Sequence, residues 1–210
     1  MALPEDAVTV TTVEELHALV GEPSPRARDK VRPVLHPVDR AWIAASPFVL
    51  VATSDAAGRC TVSPKGDPAG AVLVIDESTV AIPDRPGNRR VDGWHDVLEN
   101  PHVGLLFVVP GRGDTLRVDG RATLVREAAF LDDLVVDGHR PTLALVVEVE
   151  RALYHCSKAF PRSRLWDPQG WDPDAVPSRA HIAHALEPDG RSLDELEKYY
   201  GPSYGQGLYR

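Results

Sequence analysis

Cysteine, lysine and methionine are scarce in this 210-residue sequence: Cys occurs twice, Met once, and Lys only at Lys30, Lys65, Lys158 and Lys198. Cys60 and Cys156 have neither zinc-ribbon nor redox spacing. They therefore read as buried thiols in a reducing, cytoplasmic protein rather than as part of a disulfide scaffold. No apolar run approaches the roughly 20 residues needed to span a bilayer. Positive charge is also in deficit, with 23 Lys plus Arg against 31 Asp plus Glu and a formal net charge of −8. That balance argues against a general field for nucleic acid or an anionic membrane, so any anion site must be local. The early residues Glu5, Asp6, Glu14 and Glu15 resemble neither a signal nor a transit peptide.

What is present suits one globular body with extensions, since 43% hydrophobic content over this length can bury a full core. Thr12-Val13-Glu14-Glu15 has the form of a capping box and Gly21 stops the helix it opens. A second helix is expected over Pro37–Ser46, with Val38, Ala41, Trp42 and Ala45 on one face. From Pro47 the period changes. Phe48–Thr53, the turn Asp55-Ala56-Ala57-Gly58 and Cys60–Ser63 predict a hairpin. Further strands are expected at 71–75, 79–82, 103–109, 115–125 and 143–155, interrupted by helices near Arg89–Glu99 and Glu127–Val136. Many strands joined by short turns favour an antiparallel barrel, because parallel strands would need a crossover helix between nearly every pair. The expected organisation is a helical extension at 1–46, a barrel core at 47–160 and a helical arm at 161–210 that packs on the core or on a partner subunit.

The segment richest in chemistry is Ile82-Pro83-Asp84-Arg85-Pro86-Gly87-Asn88-Arg89-Arg90, where a strand runs into a Pro-Gly turn that delivers three arginines to the expected start of a helix. Helix N-terminal amides lack intrahelical partners, and guanidinium forks match phosphate oxygens, so such a turn can wrap an anion. A solvated turn with surface ion pairs is the bland alternative. Upstream, Val62-Ser63-Pro64-Lys65-Gly66-Asp67 holds one of the few lysines at a strand end between backbone-restricting residues, where it could address a phosphate or a ring carbonyl.

Four blocks in order carry a family likeness: Ser63-Pro64-Lys65-Gly66-Asp67, Ile82-Pro83-Asp84-Arg85-Pro86-Gly87-Asn88-Arg89, Asn100-Pro101-His102-Val103-Gly104-Leu105-Leu106-Phe107, and Thr115-Leu116-Arg117-Val118-Asp119-Gly120-Arg121-Ala122. On these the run from Phe48 to Val125 resembles the flavin-binding core of the pyridoxamine 5'-phosphate oxidase-like proteins. The resemblance implies a mostly β fold with peripheral helices, a six-stranded antiparallel split β-barrel of FMN-binding type. It also implies a homodimer with FMN in clefts between subunits. By the same resemblance Arg89 and Arg90, with Asn88 beside them, hold the flavin phosphate. Ser63 and Lys65 run along the ring, Pro83 and Asp84 offer backbone groups, Thr115 reaches across from the opposite subunit, and Lys158 closes over the cleft. The parent oxidases' C-terminal substrate-recognition pattern has no match between Pro161 and Arg210, so pyridoxamine phosphate oxidation is not expected.

The function expected is an FMN-dependent oxidoreductase of unknown substrate, with no side chain assigned as catalytic because the flavin carries the chemistry. The alternative is a non-catalytic flavin, deazaflavin or haem carrier on the same barrel. Haem would need an axial ligand, for which His95, His102 and His155 are candidates without positional support. No metal site is expected. His181 and His184 have helical spacing but no third ligand in sequence.

Overall fold

A computed structural model describes residues 3–187 and 190–209, so the outermost positions of the expected extension and arm, with residues 188 and 189, lie outside it. The contacts divide into two units, one up to Val31 and one from Arg32 onward. The first unit holds α1 (Val13–Val20), with the expected capping box between Thr12 and Glu15, and the single turn α2 (Pro25–Arg28). The backbone amides of Thr11 and Thr12 hold the Glu15 carboxyl below its ordinary pKa, which keeps the cap charged.

The second unit opens with α3 (Pro37–Ala45). Its N-terminus is fastened by Asp39, which accepts from the His36 amide and takes Arg32 in a fork at 2.8 and 2.9 Å. Seven strands follow among the described residues: β1 (Phe48–Ser54), β2 (Cys60–Gly66), β3 (Leu73–Asp76), β4 (Thr79–Pro83), β5 (His102–Val108), β6 (Thr115–Val125) and β7 (Ala144–His155). They form one sheet in the order β2-β1-β5-β6-β7-β4-β3, with antiparallel pairing throughout. The expectation of six strands is therefore corrected to seven, and the sheet is open, with β2 and β3 as its edges. The edges explain the gap. β2 carries Pro64, which cannot donate to a ladder, and β3 is four residues long with a register shift between Val74 and Asp76.

Strand alternation sends one face of the sheet into a single core. Val49 and Val51, Val80 and Ile82, Leu105 and Phe107, Leu116 and Val118, and Leu145 and Val147 pack with Trp42 and Ile43 of α3. The opposite face of β4 and β7, at Ala81 and Ala144, is covered by Leu131 and Leu134. The helix expected over Glu127–Val136 is instead a 3-10 helix at Ala129–Leu134, bounded by extended backbone at Ala128 and Val135. Cys60 and Cys156 are exposed and unpaired, not buried. Cys60 falls on the outward phase of β2, which alternates exposed and half-buried along its length.

The remaining helices are α4 (Asp92–Glu99), which adds Trp94 and Val97 to the core, then α5 (Ala159–Ser163), α6 (Arg179–Leu186) and α7 (Leu193–Tyr199). The last two pack on each other through Ala180, Ala183 and Leu196. No helix among the described residues is long and apolar enough to cross a membrane.

Candidate functional site

Where the sheet stays open, the β4 end, the following turn and α4 face the inner side of β1 and β2. Register puts Val51 opposite Ser63 and Val49 opposite Lys65, so Ser63 and Lys65 share the half-buried side of β2. β4 ends at Pro83, and Asp84 remains tied to the sheet through its amide to Leu143 O at 2.8 Å. Beyond it the chain turns through Pro86-Gly87, and Arg89 adopts φ 60°. This is left-handed backbone that a β-carbon makes costly, on the order of 1 kcal/mol, and it stops the helix from beginning at Arg89 as expected. α4 starts at Asp92 instead, and no side chain caps its N-terminus.

These elements enclose a cavity of about 220 Å³ lined by Ser63, Lys65, Asp84, Asn88, Arg89 and Arg90, with Gly93 and Trp94 of α4 as its floor. Lys65, Arg85, Arg89 and Arg90 face it together with a single carboxylate, Asp84, in a chain whose net charge is −8. The uncapped amides of α4 add to this local positive field. Gly93 lets α4 approach β1 closely, since a β-carbon in its place would lie 3.3 Å from Thr53 Oγ1, a contact tight enough that Thr53 would have to shift.

The polar side chains are held in distinct ways. Lys65 Nζ lies 4.3 Å from the centre of the Trp94 ring and 3.5 Å from Asp84 Oδ1, while Trp94 Nε1 donates to the same oxygen at 3.1 Å. One indole thus fixes both the carboxylate and the ammonium. Thr53 donates to Asp96 Oδ2 at 2.7 Å, and Asn88 Oδ1 accepts from the Arg90 amide at 2.9 Å, shaping the turn. Arg90 pairs with Asp92 at 2.5 Å, yet its side chain is 77% exposed and can swing toward an incoming anion. Arg85 differs from its two neighbours. Its Nε donates to Asp67 at 2.6 Å and its Nη2 to Leu134 O at 2.9 Å, so it is a tie across the turn.

A second cavity of about 260 Å³ continues from the first across Lys65, Arg85, Pro86 and Gly87, with Phe48, Val49, Ile82 and Pro83 among its apolar walls and Ser46 and Asp67 among its polar ones. The two together form a groove with a cationic end and an end of mixed lining, and Lys65 at the junction. Of the site residues expected from sequence, Ser63, Lys65, Pro83, Asp84, Asn88, Arg89 and Arg90 are brought together, whereas Thr115 and Lys158 line neither cavity. Thr115 is buried at the start of β6, and Lys158 is exposed at the N-cap of α5. Trp94, Gly93 and Thr53 were not foreseen. Trp94 is legible in sequence only as part of the apolar stripe of α4, because its indole partner comes from another element. His95, His102 and His155 line neither cavity, and no group of three or more metal-ligating side chains occurs among the described residues.

The family model described as pyridoxamine 5'-phosphate oxidase matches residues 35–156, more than half of the chain. The chain belongs to the pyridoxamine 5'-phosphate oxidase family. The match covers all seven strands and both walls of the groove, leaving the first unit and α5 to α7 outside it. Among curated proteins nothing matches. Solved structures with a similar fold include HupZ from Group A Streptococcus, 21% identical with a TM-score of 0.45, covering 56% of this chain and 91% of its own. A proposed pyridoxamine 5'-phosphate oxidase from Lactobacillus delbrueckii is 18% identical with a TM-score of 0.46, covering 58% and 95%. An FMN-binding protein from Syntrophomonas wolfei is 11% identical with a TM-score of 0.41, covering 57% and 89%. Likenesses this distant assign no cofactor and no activity to this chain.

Proposed function

We propose that this member of the pyridoxamine 5'-phosphate oxidase family is an FMN-dependent oxidoreductase, cytoplasmic and homodimeric, with its open sheet acting as a split barrel. The observation that carries the reading is the two-part groove. Its cationic end suits the terminal phosphate of a mononucleotide, and its other end, where Phe48, Ile82 and Pro83 meet polar groups, suits a flat ring with a polar edge. Arg89, Arg90 and the free amides of α4 hold the phosphate, with Asn88 setting the turn. Ser63 and Lys65 on β2, and the backbone at Pro83 and Asp84, border the ring. Bound flavin supplies hydride or electron transfer, and the protein supplies binding, orientation and electrostatics. Lys65, held by Trp94, places positive charge beside the ring where negative charge accumulates on reduction.

The dimer is supported by a second surface. The outward side of β2, β1 and β5 carries Val62, Pro64, Phe48, Leu50, Leu106 and Val108 in register, leaving an apolar stripe half-exposed next to the groove. A second copy seated there would supply a further wall, from which the exposed Lys158 could reach the ring, whereas Thr115 is buried within its own chain. The two exposed free thiols suit a reducing compartment.

Absorption of the purified protein tests the reading: bands near roughly 370 and 450 nm, with FMN released on denaturation, are expected of a flavoprotein. Changing both Arg89 and Arg90 to Gln should weaken FMN binding by about tenfold or more, the usual worth of charge-assisted hydrogen bonds to phosphate. A Soret band, or a colourless protein whose melting temperature FMN does not raise, would reject it.

A further inference from the structure

The turn that carries Arg89 and Arg90 is fastened to the rest of the chain through one side chain. From Arg85 to Arg90 no main-chain amide or carbonyl bonds to another main-chain group among the described residues. The bonds of Asn88 to the Arg90 amide and of Arg90 to Asp92 stay within the turn and the start of α4. Arg85 alone reaches further, with Nε donating to Asp67 Oδ2 at 2.6 Å and Nη2 to Leu134 O at 2.9 Å. What holds Asp67 therefore helps to hold the turn.

Asp67 is itself held from two sides. Its amide donates to Pro47 O at 3.1 Å, which fixes the main chain just beyond β2, and its other carboxylate oxygen accepts from the Tyr209 hydroxyl at 2.7 Å. Tyr209 follows α7, outside residues 35–156 that match the family. Its ring centre lies 5.5 Å from the Arg85 guanidinium, and the ring stacks on His139 with centroids 6.2 Å apart and planes at 22°. One phenol thus meets both members of the ion pair that anchors the turn. The Asp67 and Arg85 side chains are only 11% and 14% exposed, so water replaces a lost donor there poorly. The bond to Asp67 also raises the Tyr209 pKa, which keeps its hydroxyl a donor.

We infer that Tyr209 is a positioning residue for the cofactor phosphate: through Asp67 and Arg85 it keeps the 85–90 turn in the shape that presents Arg89 and Arg90 to the groove. This role rests on the flavin reading of that groove. Without the hydroxyl, Asp67 can rotate away from Arg85 and the turn spends part of its time in other shapes. Apparent affinity then falls in proportion to the share that remains in the binding shape. The loss is confined to the phosphate, because Ser63, Lys65 and Pro83 sit on β2 and β4, whose ladders do not involve Tyr209.

Titration of the flavin-free full chain with FMN and with riboflavin, which has the same ring and no phosphate, tests this role. The unaltered chain should prefer FMN. Tyr209→Phe keeps the ring and removes the hydroxyl, so it should lower that preference about threefold to tenfold and leave riboflavin affinity unchanged. Arg85→Gln should lower the preference at least as far, and adding Tyr209→Phe to it should have no further effect, because the hydroxyl acts through Arg85. A preference that survives Tyr209→Phe, an equal loss of both flavins, or additive effects of the two changes would each overturn the role of Tyr209 and leave the flavin reading standing. A chain that takes up neither flavin would remove the flavin reading, and one that takes up both equally would remove the phosphate assignment. Either result would overturn the role of Tyr209 as well.

Discussion

Two side chains carry predictions of their own. Lys65 is held between the Trp94 ring and Asp84, so its charge is fixed in position but partly offset by the carboxylate. With FMN bound, Lys65→Met should lower the flavin reduction potential by on the order of 20–40 mV, corresponding to about 1–2 kcal/mol. Dye-coupled redox titration reads this, and an unchanged potential would remove Lys65 from the role. Tyr154 is the other. Burial, with Asp39 nearby as a second cause, pushes its pKa from 10.0 up to about 12. The folded state keeps its proton where the unfolded state has lost it, so stability is intact below about pH 10 and falls as pH rises toward about 12. Tyr154→Phe should flatten that part of the stability–pH curve, measured by urea unfolding at pH 9, 10 and 11. The positive charge of Arg89 and Arg90 at this turn, by contrast, is readable from residue type and order alone, because arginine's charge does not depend on its surroundings.

Among the elements, strands were more legible than helices. β1, β4, β5, β6 and β7 fall within about a residue of their expected bounds, because β-branched and aromatic runs ended by Gly, Pro or Asp mark strands locally. The helix near Arg89 began three residues late, since its first turn is spent on the left-handed conformation of Arg89 that bends the chain around the cavity. The junction of β6 and β7 shows what only pairing can impose. At the register shift after Asp119, a β-carbon on Gly120 would lie 2.0 Å from Glu148 O. Gly120→Ala must therefore separate the two longest strands, and should cost about 2–4 kcal/mol of unfolding free energy in a denaturant titration. The same change at Gly138, where no atom lies within 4 Å, meets only the penalty of its positive φ of 75°.

For the whole molecule, the surface left unfinished matters most. β1 and β5 are apolar on both sides, with Val49, Val51, Leu105 and Phe107 in the core and Phe48, Leu50, Leu106 and Val108 on the outer side. Strands that read as continuous apolar runs are normally covered on both faces. If the proposed dimer forms through this face, Leu106→Glu, at the centre of the outer stripe, should leave the fold intact and give a monomer in sedimentation where the unaltered chain gives a dimer. Under the proposed arrangement it should also weaken FMN binding, because the cleft would lose its second wall. A variant that remains dimeric with unchanged FMN affinity would exclude this face as the contact.

Residue order alone establishes the strand series, the excess of acidic over basic residues and the cationic turn at Asn88 to Arg90, because propensity, charge and turn chemistry act over a few neighbours. It also carries the family, whose blocks follow one another along the chain. Tertiary packing decided that the sheet stays open, that Arg85 alone of the three arginines at the cavity is tied to Asp67 and Leu134 O, and that Trp94 holds Lys65 against Asp84. Each of these depends on groups far apart in sequence meeting in space: Asp67 with Arg85, Asp84 with Trp94, Asp67 with Tyr209. Contacts of that kind are chosen by sheet register and loop closure, which no local pattern records.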